Sequence, residues 1–232
     1  MKLKKFKSIG KNEVLAAQKV INSGVLSDFI GKSGDKFLGG RKVQEFEKKL
    51  CTFYKSKYAI VTNSWTSGLI CAVGALNIEP GDEIICSPWT MSASAISILH
   101  WNAIPIFVDV NYENFQLDLD QVKKKINKKT KAIMAVDIFG QSENMQELKK
   151  IAKKYKIKII SDSAQSPYSF YKKKLAGTMA DIGGYSLNCH KHINTGEGGI
   201  IVTNNKAYAK KMRLIRNHAE ASISTKAKKK DL

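Results

Sequence analysis

Two hydrophobic patterns alternate along the chain. Continuous apolar runs of strand length occur at 58–63 (YAIVTN), 83–88 (EIICSP), 104–110 (IPIFVDV), 131–138 (KAIMAVDI), 156–162 (KIKIISD), 183–188 (GGYSLN) and 199–204 (GIIVTN). Most are unbroken rather than alternating, the pattern of strands buried on both faces. Between them lie segments whose apolar residues recur every three or four positions. The clearest are VQEFEKKLCTFY, TSGLICAVGAL, MSASAISILHW, LDQVKKKI, ENMQELKKIAKKY and KAYAKKMRLIRN. Strand and helix in turn predict an α/β three-layer sandwich, a mostly parallel sheet of about seven strands with helices on both faces. No internal repeat and no Pro- or Ser-rich linker interrupts the pattern.

In open α/β sheets ligands gather where strands end and helices begin. Four such junctions carry chemistry. In TNSWTSGL, Thr66 and Ser67 open an apolar helix; free N–H groups and hydroxyls there suit a phosphate, or they simply cap the helix. In SPWTMSAS, Trp89 and Met91 follow a strand and either stack on a flat ring or pack in the core. If the strand extends through them, residues two apart share a face, so either side chain reaches the same ligand. In IISDSAQSP, Asp162 ends a strongly apolar strand and Gln165 follows. A carboxylate so placed needs a partner, either a protonated ring nitrogen or a helix N-terminus. In SLNCHKHINTGEGG, Ser186 ends a strand and Lys191 sits in the loop behind it. A lysine there is either a solvated charge or a partly desolvated amine fit for Schiff-base chemistry. Taken together, the four junctions offer a phosphate cradle, a stacking surface, a ring-nitrogen acid and an amine, the needs of pyridoxal phosphate.

Composition narrows the classes. The chain has 232 residues, enough for one sizeable α/β core, and a formal net charge of +19. Its lysines are spread over exposed helix faces, as in KKKINKKTK, and no nucleic-acid-binding motif accompanies them, so no nucleic-acid partner is expected. No run of 18 apolar residues appears and the basic N-terminus lacks a signal-peptide core, so neither membrane insertion nor export is expected. Cys51, Cys71, Cys86 and Cys189 have no metal-ligand spacing; they read as reduced thiols of a cytoplasmic protein, with no metal site.

A series of motifs resembles one family. GGRKVQEFEKKL, VTNSWTSGL, ALNIEPGDEIICSPWT, AIPIFVDVNYENFQLD, IFGQSENM, SDSAQS and ADIGGYSLNCHKHINTGEGGIIVTNN follow one another from about Gly24 to Ala221. In this order they resemble the DegT/DnrJ/StrS sugar aminotransferases, which are fold type I pyridoxal-phosphate enzymes. The resemblance implies Lys191 as the Schiff-base lysine, five residues before GEGG. It implies Asp162 as partner of the pyridine nitrogen, Gln165 as partner of the ring hydroxyl, and Ser186, Thr66 and Ser67 as phosphate ligands. The ring-stacking position falls on Met91, with Trp89 as the alternative. Some relatives carry histidine in place of the lysine and are sugar dehydratases. Counting back from GEGG puts Lys191 in that column, between His190 and His192.

The implied reaction moves an amino group from glutamate to a nucleotide-linked keto-sugar, in the making of cell-surface polysaccharides or secondary-metabolite sugars. The implied organisation is an N-terminal segment (1–40), a cofactor-binding domain (41–221) and a disordered basic tail (222–232). The family's smaller C-terminal domain is missing from it, so a homodimer or a complementing chain is expected to complete the site. A non-catalytic scaffold with a vestigial cofactor site is the alternative from another class.

Overall fold

A computed structural model describes residues 9–32 and 34–222. The expected tail lies outside them apart from Ser222. Helix α1 (Lys11–Asn22) precedes α2 (Arg41–Tyr54). The sheet-forming region then runs β1 (Tyr58–Thr62), α3 (Trp65–Ala75), β2 (Glu83–Cys86), α4 (Ser92–Leu99), β3 (Ile104–Phe107), α5 (Leu119–Lys125), β4 (Thr130–Val136), α6 (Met145–Tyr155) and β5 (Lys158–Asp162). A small hairpin of β6 (Phe170–Tyr171) and β7 (Lys174–Leu175) comes next. It leads into β8 (Ile182–Ser186), β9 (Gly199–Thr203) and α7 (Lys206–Arg216).

Seven strands form one sheet in the order β1-β9-β8-β5-β4-β2-β3. Strand β9 runs antiparallel to both its neighbours, and the pairs from β8 through β3 are parallel. The seven apolar runs are these seven strands. Their residues divide among three apolar clusters. Ile84, Met134, Ile160, Ile182 and Ile201 face α3, α4 and α7, Ile85, Ile133 and Ile159 face α5 and α6, and Ala59, Tyr185, Ile200 and Val202 pack with Leu50 and Tyr54 of α2. Each isoleucine, valine or methionine among them, fully removed from water, contributes about 1.5–3 kcal/mol, which is why both faces of the central strands are apolar.

Local sequence sets the helix ends. Ser64 caps α3, its Oγ accepting the Ser67 N–H at 3.1 Å. Asp118, Asn144 and Asn205 cap α5, α6 and α7 in the same manner. Helices α2 and α6 stop at Lys55 and Lys156, both in the left-handed region. The segment before α2 is not detached: Phe37 is buried, the Asn217 side chain donates to its carbonyl at 2.8 Å, and Phe29 lies 4.3 Å from the Arg216 guanidinium. Among the described residues no helix is long and apolar enough to cross a membrane.

Candidate active site

The carboxyl ends of β1, β2, β4, β5 and β8 lie along one edge of the sheet, and the loops leaving them enclose a cavity of about 280 Å³. Thr66 reaches it from the start of α3, Met91 from the residue before α4, Asp162 and Gln165 from the end of β5, Ser186 from the end of β8, and Lys191 from the following loop. Larger hollows, of about 700, 680, 830 and 470 Å³, lie elsewhere, and none of these four draws on the carboxyl ends of β4, β5 and β8.

Asp162 is 5% exposed. A charge so deep is tolerated only when hydrogen bonds compensate it, and three donors do so. Its Oδ1 accepts the Trp65 indole N–H at 2.7 Å and the Ala164 backbone N–H at 3.2 Å. Its Oδ2 accepts the Ser94 hydroxyl at 2.7 Å. Because the single Ser94 proton goes to the carboxylate, Thr90 is the donor in the 2.9 Å contact between its hydroxyl and that of Ser94.

Lys191 is half-buried in a pinned loop. Its backbone N–H donates to the Asn188 carbonyl at 2.9 Å. The Asn188 side chain donates to Glu197 at 2.6 Å, and its backbone N–H to Ser186 Oγ at 3.2 Å. The loop is closed at its base by Leu187 N–H donating to the Gly198 carbonyl at 2.8 Å. Gln165 is oriented by the Phe139 N–H, which donates to its Oε1 at 2.9 Å and turns the amide NH₂ end into the donor.

Phe139 belongs to a turn that follows the buried Asp137 and precedes the buried Glu143. Asp137 accepts from the Ser161 and Ser163 hydroxyls and from the Glu143 N–H. Burial raises the Asp137 pKa. Burial, and after it the neighbouring Asp137 charge, pushes Glu143 up to about 8.

Two of the eight residues singled out from sequence stand outside the cavity. Ser67 bonds the helix cap: its N–H donates to Ser64 Oγ and its own Oγ accepts the Ser64 hydroxyl proton, at 3.1 Å each. Trp89 does not share a strand face with Met91, because β2 ends at Cys86 and the chain bends through Pro88. The bend turns Trp89 onto Phe115, with ring centroids 5.8 Å apart and planes at 22°. His190 lines the cavity and His192 does not.

Sequence reasoning passed over Trp65 and Ser94, the two side chains that hold Asp162. Their signals are a tryptophan at the mouth of a glycine-bearing helix and a fully buried serine among the three of α4.

Comparison with known proteins gives a consistent picture. Residues 28–231 match the model of the DegT/DnrJ/EryC1/StrS aminotransferase family. GDP-perosamine synthase of Caulobacter vibrioides is 38% identical over 177 residues, 76% of this chain and 48% of that protein. The structure of Helicobacter pylori PseC, an aminotransferase involved in the biosynthesis of pseudoaminic acid, superimposes with a TM-score of 0.82 at 32% identity, covering 90% of this chain and 54% of PseC. NtdA of Bacillus subtilis, whose structure has bound cofactor PMP, superimposes with a TM-score of 0.75 at 32% identity, covering 88% and 45%. The chain spans about half the length of the curated relatives it matches.

Proposed function

The chain belongs to the DegT/DnrJ/EryC1/StrS aminotransferase family, and we propose that its cavity takes pyridoxal 5′-phosphate and serves transfer of an amino group from glutamate to a keto-sugar carried on a nucleotide diphosphate. One observation carries this reading. A half-buried amine, a buried carboxylate with an acceptor position to spare, and a helix start flanked by two hydroxyls meet at one cavity. That donor set fits the cofactor end by end: amine to aldehyde, carboxylate to ring nitrogen, helix start to phosphate.

When bound, the cofactor supplies a carbonyl carbon that takes up an amino group and a ring that accepts electrons from the substrate carbon. This chain's residues do the rest. The Thr66 and Ser186 hydroxyls and the N–H groups opening α3 would hold the phosphate, with Ser67 beside them at the cap. Met91, not Trp89, covers one ring face. Gln165 donates its amide N–H to the ring hydroxyl. Asp162 accepts the ring N–H and keeps the nitrogen protonated. Lys191 Nζ would anchor the cofactor and would move a proton at the substrate carbon.

The nucleotide-linked substrate is supported by the name of the GDP-perosamine relative, and residues 41–221 are the cofactor-binding unit of this reading. Such chemistry belongs in the cytoplasm, in the supply of amino sugars for cell-surface polysaccharides or secondary metabolites, with a homodimer or a complementing chain closing the site.

A second reading, sugar dehydration, rests on His190 in the same cavity. The test is sequential addition of pyridoxal phosphate, glutamate and a nucleotide-linked 4-keto-6-deoxy sugar. The expected outcome is 2-oxoglutarate from the first half and an amino sugar from the second. Water lost from the sugar without 2-oxoglutarate replaces transfer by dehydration. A cofactor spectrum indifferent to both substrates leaves a binding protein.

A further inference from the structure

Trp65 is the first residue of α3, yet it is only 4% exposed. Its benzo ring sits in a slot made by two glycines of different elements. A Cβ on Gly68 would lie 2.6 Å from Cε3, and one on Gly184 only 2.1 Å from Cζ3. Any side chain at Gly184 would expel the indole. Thus seated, the ring donates its Nε1 proton to Asp162 Oδ1 at 2.7 Å. A tryptophan that merely filled the core would place its N–H on any available carbonyl; this one is spent on the buried carboxylate that lines the cavity.

The acceptor accounting around Asp162 then closes. A carboxylate offers about four acceptor positions. Oδ1 uses two, on Trp65 and Ala164, and Oδ2 uses one, on Ser94. Ser94 is itself set by the Thr90 hydroxyl at 2.9 Å. One position remains, on Oδ2.

We propose that Trp65 and Ser94 are positioning residues: they lock the Asp162 carboxylate so that its last acceptor position on Oδ2 meets the N–H of a protonated ring nitrogen. The proposal rests on the cofactor reading above and deepens it. It differs from packing in what it predicts for the serine series. Trp65→Phe removes the donor together with part of the ring that fills the slot between Gly68 and Gly184, so its effect is read beside the serine variants. Ser94→Ala removes the second donor, and Ser94→Thr restores it.

The probe is pyridoxamine 5′-phosphate, which binds without a covalent link to Lys191, titrated into the unloaded protein. Its ring nitrogen is ¹⁵N-labelled, so that protonation is read by its NMR shift. Hydrogen bonds to a charged acceptor are the strong ones, and losing one weakens pyridoxamine phosphate binding by about ten- to a hundredfold. Trp65→Phe and Ser94→Ala should each show that loss, with the nitrogen signal moving toward the unprotonated form at neutral pH. Ser94→Thr should recover both readouts, and it keeps the test decisive if Trp65→Phe does not fold. Wild-type affinity and a protonated nitrogen in both Trp65→Phe and Ser94→Ala would overturn the proposal. Asp162→Asn separates the two levels. If it too leaves affinity and nitrogen signal unchanged, the cofactor reading falls with the proposal; if it alone changes them, only the positioning role falls.

Discussion

An alanine at position 191 should abolish amino-group transfer while leaving the fold and the phosphate cradle intact. Lys191 is half-buried in a loop whose backbone is tied by Asn188 and Gly198, so losing its side chain removes no core packing. What disappears is chemical: the amine that anchors the cofactor and the group that moves a proton at the substrate carbon. General acid–base catalysis alone is worth up to about 10⁴-fold, and the loss of the activated amine adds to it. Formation of 2-oxoglutarate from glutamate should therefore fall by roughly 10⁴-fold or more. Pyridoxamine phosphate, whose phosphate rests on α3 and Ser186, should still bind. A Lys191→Ala protein that turns over within an order of magnitude of wild type would move the proton transfer to another residue, with His190 the nearest candidate in the cavity.

The second large effect is expected for Asp162→Asn. The two side chains have the same shape, and Trp65 can still donate to the remaining oxygen. The change replaces the Oδ2 acceptor by an NH₂ donor, which collides in polarity with the Ser94 hydroxyl and offers a proton to the ring nitrogen instead of accepting one. The ring then stays neutral and takes up electrons poorly. Removal of a single preorganised electrostatic contact costs about 10²–10³ in rate, and here the charge acts along the path of the electrons, so that figure is a lower bound. Transfer rates of Asp162→Asn within about threefold of wild type would assign the carboxylate to structure rather than to chemistry.

The sequence exposes the sheet more readily than the site. The inner strands are visible as apolar runs because burial on both faces leaves little room for polar positions, and the edge strands β1 and β3 are legible from their own apolar residues. By contrast, α1 buries none of its residues, so no core-facing stripe marks it in the way the stripes mark α2 or α6. The β6–β7 hairpin is two residues per strand, too short for any periodicity. Within the cavity, Asp162 and Ser186 end strands, Thr66 and Met91 stand at helix starts, and Gln165 and Lys191 follow in the loops behind β5 and β8, so their positions follow from the strand pattern.

Ser67 and Trp89 lie outside the cavity lining for local reasons. A serine three residues after Ser64 bonds the cap, and the residue after Pro88 follows the bend rather than the strand. The support of Asp162 was hidden for a different reason. The Trp65–Asp162 and Ser94–Asp162 bonds join residues 97 and 68 positions apart, and pairing over such distances is set by how the layers stack, which no local pattern encodes.

The account stands on one lysine among 39 lysines and arginines. The direct measurement is to add pyridoxal phosphate to the purified protein, reduce it with borohydride, digest it and locate the cofactor by mass spectrometry. The result expected is a single labelled peptide carrying the modification on Lys191, absent when the lysine is replaced. A label fixed on another lysine, or cofactor that borohydride fails to fix at all, would contradict it.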